Sequence, residues 1–109
     1  MAGFITHVEL LYASERDYEK LDTALQALHF YKTIQDLSTG IVYHLPARMY
    51  YSSSEGDSSF VLQLAKNAAK KTKKNYTAIT IKSDGIQFSG LERISSTPVP
   101  PISPFLQNP

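Results

Sequence analysis

Two arginines, Arg16 and Arg48, three histidines, His7, His29 and His44, and five lysines, Lys66, Lys70, Lys71, Lys73 and Lys74, are the side chains best equipped for chemistry on a charged substrate. An arginine fork neutralises phosphoryl oxygens, an imidazole moves a proton near neutral pH, and a run of ammonium groups steers a polyanion. Phosphate chemistry is therefore the first thing to look for. Metal chemistry is poorly supplied, because there is no cysteine and no histidine pair at a ligand spacing such as i, i+4, so a metal site would need tertiary convergence and none is expected. There is no Gly-rich phosphate loop and no Gly-x-Ser-x-Gly elbow. Ser52-Ser53-Ser54 has no nearby base and reads as polar residues leading into a helix cap. No cofactor is expected.

The charges are distributed unevenly. Residues 1–65 carry four Lys/Arg against eight Asp/Glu, and residues 66–109 carry seven against two, so a net charge of +1 hides a basic second part. Lys66 to Lys74 can attract nucleic-acid phosphate, yet lysine also complements the negative end of a helix dipole on a solvated surface. Both readings stay open on the sequence. No apolar run reaches the roughly 20 residues that cross a bilayer, and Met1-Ala2-Gly3-Phe4 lacks the pattern of a signal peptide, so no membrane association and a cytoplasmic location are expected.

The elements that must position these groups follow from pattern. Phe4–Tyr12 mixes β-branched and aromatic residues and alternates, which predicts a strand. Ser14 with Asp17 three residues on is a capping box, and Tyr18, Leu21, Leu25 and Leu28 form an apolar stripe for a helix reaching about His29. Phe30–Asp36 predicts a second strand, followed by turn residues Ser38-Thr39-Gly40. Pro46 cannot donate within a central ladder, so Ile41–Leu45 and Ala47–Ser53 are separate pieces, with Ala47–Ser53 the internal strand. Asp57 or Ser58 caps a second helix whose stripe is Phe60, Val61, Leu64, Ala65 and Ala68, ending at the lysines with Asn75 in a left-handed position. Thr77–Lys82 alternates Ile79 and Ile81 with Thr80 and Lys82 and predicts a strand with one wet face. Asp84-Gly85 signals a turn from which Ile86-Gln87-Phe88 pairs back. From Ser95 to Pro109 there are five of the six prolines and no charge, which predicts a disordered tail after a single domain of residues 1–94. Its two P-x-x-P segments lack flanking cations and are expected to be inert.

The order β-α-β-β-α-β is the ferredoxin-like arrangement, an α+β fold with two helices on one face of an antiparallel sheet. The other face is expected to be open and to carry His7, Glu9, alternate residues of Arg48–Ser52, Thr80 and Lys82. Tyr43, Tyr50 and Tyr51 lie in or beside the central strand, where aromatic rings can stack bases. ARMYYSS does not match the Gly-and-aromatic signature of the RNA-recognition fold, and core or dimer interface is the commoner use. The two sheet edges predict a homodimer, with Ile86–Leu91 as lid or exchange strand.

Val8-Glu-Leu-Leu-Tyr-Ala13, the helix containing Tyr18, the Phe30–Ile34 strand start and the spacing from Gly40 through Leu45-Pro46 to Tyr50 resemble the GhoS-like small ferredoxin-fold proteins. That family is one of antitoxin endoribonucleases related to the CRISPR-associated ferredoxin-like nucleases. The resemblance covers residues 4–85. It implies a protein acting on RNA, as a sequence-selective endoribonuclease of a toxin-antitoxin pair. Arg16 and Arg48 would then steady phosphate charge, His7 or His44 would move a proton, and Lys66, Lys70, Lys71, Lys73 and Lys74 would hold the nucleic acid. The nuclease relatives carry an acid near the end of the first strand, where this chain has Leu10-Leu11-Tyr12. GhoS-like proteins carry arginines along the first helix, where this chain has Leu21-Asp22-Thr23-Ala24-Leu25. Both differences point to the alternative, a non-enzymatic homodimeric RNA- or protein-binding module.

Overall fold

The computed structural model describes residues 1–94; the Pro-rich tail expected from Ser95 lies outside the described residues. Seven elements follow one another: β1 (Ala2–Leu10), α1 (Glu15–Ala27), β2 (Thr33–Gln35), β3 (Val42–His44), β4 (Met49–Ser54), α2 (Ser58–Lys70) and β5 (Tyr76–Lys82). β1 is the middle strand, antiparallel to β4 on one side and to β5 on the other. The α+β class, the two helices and the antiparallel sheet are those expected of a ferredoxin-like chain.

Local chemistry accounts for both helix starts. At α1 the Ser14 hydroxyl accepts from the Asp17 N–H at 3.3 Å while the Asp17 carboxylate accepts from the Ser14 N–H at 2.9 Å, so two otherwise orphaned donors are satisfied reciprocally. At α2 the Asp57 carboxylate accepts from the Phe60 N–H at 2.9 Å. Leu21 and Leu25 of α1 and Val61, Ala65, Ala68 and Ala69 of α2 pack with Phe4, Val8, Leu10 and Tyr50 of the sheet and with Phe30 into one buried cluster. Alanines on the inner side of α2 let its backbone approach β1 and β5 closely. Phe60 differs from the expected stripe: it is 53 % exposed and lies across Gly56, outside the core. Lys73, with φ +61°, takes the left-handed position expected at Asn75.

The second expected strand is split. Within Phe30–Asp36, only Tyr31 hydrogen-bonds to β4, through a single bridge to Tyr51 with N–H···O distances of 2.8 and 2.7 Å in the two directions. Thr33–Gln35 then leaves the main sheet and pairs with Val42–His44 as a separate two-stranded ladder. The Asp36 carboxylate turns the hairpin by accepting from the Ser38 N–H and hydroxyl at 2.9 and 2.7 Å, and Gly40 supplies the positive φ of 77°. Ile86–Phe88 forms no strand with β5. The chain instead runs on to the hairpin, where the His44 N–H donates to Glu92 at 2.8 Å and the Ile94 N–H to Val42 at 3.1 Å.

The register of β5 corrects the expected open face. Thr6 is paired with Thr80 and Phe4 with Lys82, so Thr80 and Lys82 belong to the helix side. Thr6 is fully buried, and its hydroxyl meets that of Thr80 at 2.9 Å, which is how the helix side accommodates a polar pair. Ile79 and Ile81 take the opposite face, each 60 % exposed, beside Ile5 and His7. In β4, Tyr50 and Ser52 are buried against the helices, and Met49 and Tyr51 are the members that share the open face with His7 and Glu9.

Candidate functional site

The end of β1, the starts of β4 and β5, the start of α1 and the end of α2 meet at one pole of the molecule. The Leu11 N–H donates to Asn75 at 2.8 Å and the Val8 N–H to Arg48 at 3.0 Å, which ties the three loops of this pole together. Because α1 begins where α2 ends, the exposed Arg16 and Lys20 of the first helix share a shallow groove with Lys71 beyond the second. Lys70 and Lys73 are exposed alongside. Lys74 reaches Asp17 at 3.7 Å, an ion pair that links the two helix ends. Lys66 is half-buried one turn back along α2. Of the lysines expected to hold nucleic acid, Lys71 is thus joined by Arg16 and by Lys20, a residue outside the expected set, with Glu19 in the same groove.

Arg48 completes this pole from the sheet side. Its guanidinium lies 4.0 Å from the centre of the Tyr18 ring, a cation–π stack that fixes the side chain without neutralising it. It has no carboxylate partner within ion-pair distance among the described residues. The backbone of Arg48 is left-handed, φ +66°, a costly conformation for a residue with a side chain and one that persists where surrounding structure enforces it. Tyr18 is itself anchored: its hydroxyl accepts from the Leu10 N–H at 2.9 Å and donates to the Leu10 carbonyl at 3.2 Å. A cleft of about 380 Å³ opens between Arg48, Tyr18, Glu19, Asp22, Lys32 and Tyr50. On its wall the Tyr50 hydroxyl donates to Asp22 at 2.6 Å, and the other oxygen of Asp22 accepts from Lys32 at 3.0 Å. Burial, reinforced by the Asp22 carboxylate, pushes the Tyr50 phenol far above its ordinary range, so it remains a neutral donor.

The histidines fall elsewhere. His7 stands on the open face between Met49 and Ile79, on the opposite side of the sheet from the Arg48–Tyr18 stack. His44 ends β3 on the hairpin and is exposed. His29, with φ +66°, closes α1 and its Nδ1 lies 3.0 Å from the Tyr31 hydroxyl. The structure therefore brings Arg16 to Lys71, places Arg48 in the neighbouring cleft with Lys32, and leaves both proposed proton carriers outside these two sites. No group of three His, Asp or Glu side chains that could hold a metal occurs among the described residues. Tyr18 and Asp22 share one side of α1 at i, i+4, but Lys32 before β2 and Tyr50 in β4 join them only through the tertiary fold, so the set was not visible in the sequence. Comparison with family models and with curated proteins finds no match, so the reading of this pole rests on its own geometry.

Proposed function

We propose that this protein is an RNA-binding module of GhoS-like, antitoxin type, which takes the phosphate backbone of RNA at the basic pole. The observation that carries the reading is the groove in which Arg16 and Lys20 of α1 meet Lys71 at the end of α2, next in sequence to the exposed Lys70 and Lys73; Arg48, stacked on Tyr18 without an ion-pair partner, lines the neighbouring cleft, with Glu19 lining both. A solvated helix end explains lysines after α2, but it does not explain why α1 turns its own cations to the same place. Cleavage would need a proton carrier at the phosphate held by the basic pole, and neither His7 nor His44 is among the residues of that pole, so binding is favoured over an endoribonuclease. Pairing of two copies through the free edge of β5 belongs to the same reading.

Titration of labelled single-stranded RNA tests it. With about four phosphates neutralised, affinity is expected to fall roughly 50-fold between about 50 and 200 mM salt. The double variant Lys71→Glu/Lys73→Glu is expected to bind more weakly and with a shallower salt dependence. RNA that stays free at the lowest salt, or a double variant with the wild-type slope, removes the basic pole from consideration. Intact RNA after incubation accords with a binding module, and cleavage lost in His7→Ala would reinstate the enzyme.

A further inference from the structure

At the end of the sheet away from the basic pole, the open face is not bare. The Ser83 N–H donates to the Gly3 carbonyl at 2.8 Å, and from there residues 83–94 pass to the β2–β3 hairpin, where Phe88 packs edge-on against Tyr43 with ring centres 5.1 Å apart. Both ends of this crossing are tied by backbone hydrogen bonds. Beneath it is a cavity of about 700 Å³. Tyr51 and Gly3 form part of its floor, Ile34 a wall, and Ile86 and Phe88 its cover. Gly3 has a specific role here: the Tyr51 ring lies across it, and any Cβ at residue 3 would run into the Tyr51 hydroxyl. The rim is polar, with Gln35, Asp36, Ser38 and Gln87. Hydrogen bonds from Ser38 hold the Asp36 carboxyl below its usual range, so it is a permanent acceptor.

A planar aromatic floor, apolar cover and polar rim is the chemistry that receives a planar heterocycle with hydrogen-bonding edges. We infer that this cavity receives one unpaired nucleobase of a bound RNA, stacked on Tyr51 with its edge toward Asp36 and Gln87; the inference rests on the RNA reading above. Stacking on an aromatic ring is tolerant of sequence, whereas a carboxylate only accepts, so the rim prefers a base edge that donates. Guanine presents two adjacent donors there and uracil one. β1 leads from Gly3 at the cavity to Leu10 at the basic pole, about 23 Å at strand rise, and a single strand of several nucleotides bridges the two sites by turning from the open face round the end of the sheet to the helix side. The basic pole would supply sequence-independent affinity and the cavity a base contact.

Two measurements on the full chain test this separately from the RNA reading. Guanosine has no phosphate and so ignores the basic pole; in a ¹H–¹⁵N titration it is expected to shift the Gly3, Tyr51 and Gly85 amides, and uridine to shift them less. In RNA binding, Tyr51→Leu is expected to weaken affinity about tenfold or more while leaving the salt slope at the wild-type value, the converse of the lysine variants. Gly3→Ala, which drives a methyl into the Tyr51 hydroxyl and displaces the ring without removing it, is expected to do the same. Guanosine that leaves these amides unmoved, or Tyr51→Leu binding RNA with wild-type affinity, overturns the inference. If RNA does not bind at all, the function proposed above fails and the guanosine titration still decides the cavity.

Discussion

The two faces of the β4-β1-β5 sheet are built from similar residue types and used in opposite ways. On the helix side, Phe4, Val8, Leu10 and Tyr50 are at most 4 % exposed and the polar Thr6 is buried with a hydroxyl partner. On the other side, Ile5, His7, Met49 and Tyr51 are half-buried, and Ile79 and Ile81 are more exposed than covered. Threonine inside and isoleucine outside is the reverse of what hydrophobicity alone prefers. What decides it is the register of β5 against β1, since a slip of one residue would exchange the two sets. The helix face therefore holds the stability of the fold, and the open face keeps apolar surface that stability does not need.

The sharpest way to break that comparison is to cut into the helix face. Leu25 of α1 is fully buried in the cluster shared with the sheet. Leu25→Ala should cost about 3 kcal/mol, lost transfer free energy plus the cavity left behind. Urea unfolding followed by far-UV circular dichroism reads it as a lowered midpoint with an unchanged slope. A loss below about 1 kcal/mol would mean that α1 is loosely packed and that the helix face is less complete than its burial implies.

A smaller effect is expected at the cap that orients α1 on that face. Ser14→Ala removes the acceptor for the Asp17 N–H and should cost about 1 kcal/mol. The same cap makes a pH prediction. Hydrogen bonds from Ser14, chiefly its backbone N–H, hold the Asp17 carboxyl below its ordinary value, with burial opposing and Lys74 and Lys20 assisting. A lowered folded-state pKa means that this group's contribution is complete above the ordinary carboxylate range near about 4 and is lost as pH falls through the lowered value. Stability should thus decline on acidification in the wild type and less steeply in Asp17→Asn. Equal slopes for the two proteins would show that the cap bonds are not made in solution.

How far the sequence reached depended on the range of the interaction involved. The Ser14 and Asp17 cap and the Leu21, Leu25 stripe were legible because every partner lies within four residues. The split of Phe30–Asp36 was not, because the local hairpin of Thr33–Gln35 with Val42–His44 competes with pairing to β4, and the crossing by residues 83–94 that bonds to that hairpin is distant in sequence. Alternation in Thr77–Lys82 correctly gave two faces, yet it carried no sign; only Thr6, seventy-four residues earlier, says which set turns inward by supplying the hydroxyl that Thr80 meets. The candidate site divides the same way. The lysine run was visible as a run, whereas Arg16 and Lys20 join it only once the start of α1 is laid against the end of α2, and Arg48 reaches the neighbouring cleft only once β4 lies beside β1.

The smallest expected change in stability is at Ile79, and it tests the comparison most directly. Threonine keeps the β-branched shape that suits a strand, so Ile79→Thr alters almost nothing but apolar area on a residue already 60 % exposed. In a dilute sample the unfolding midpoint should move by less than about 0.5 kcal/mol. If two copies pair along the free edge of β5, this side chain lies next to the junction and the variant should shift self-association. Sedimentation of the wild type at high concentration should then give a species heavier than the 12.2 kDa chain, and the variant should remain closer to it. Concentration separates the two effects, because a stability difference that grows with protein concentration belongs to association and one that does not belongs to the single chain. A dilute Ile79→Thr as destabilised as Leu25→Ala would mean that the chain covers this face by itself, and the distinction between the two sides of the sheet would fall.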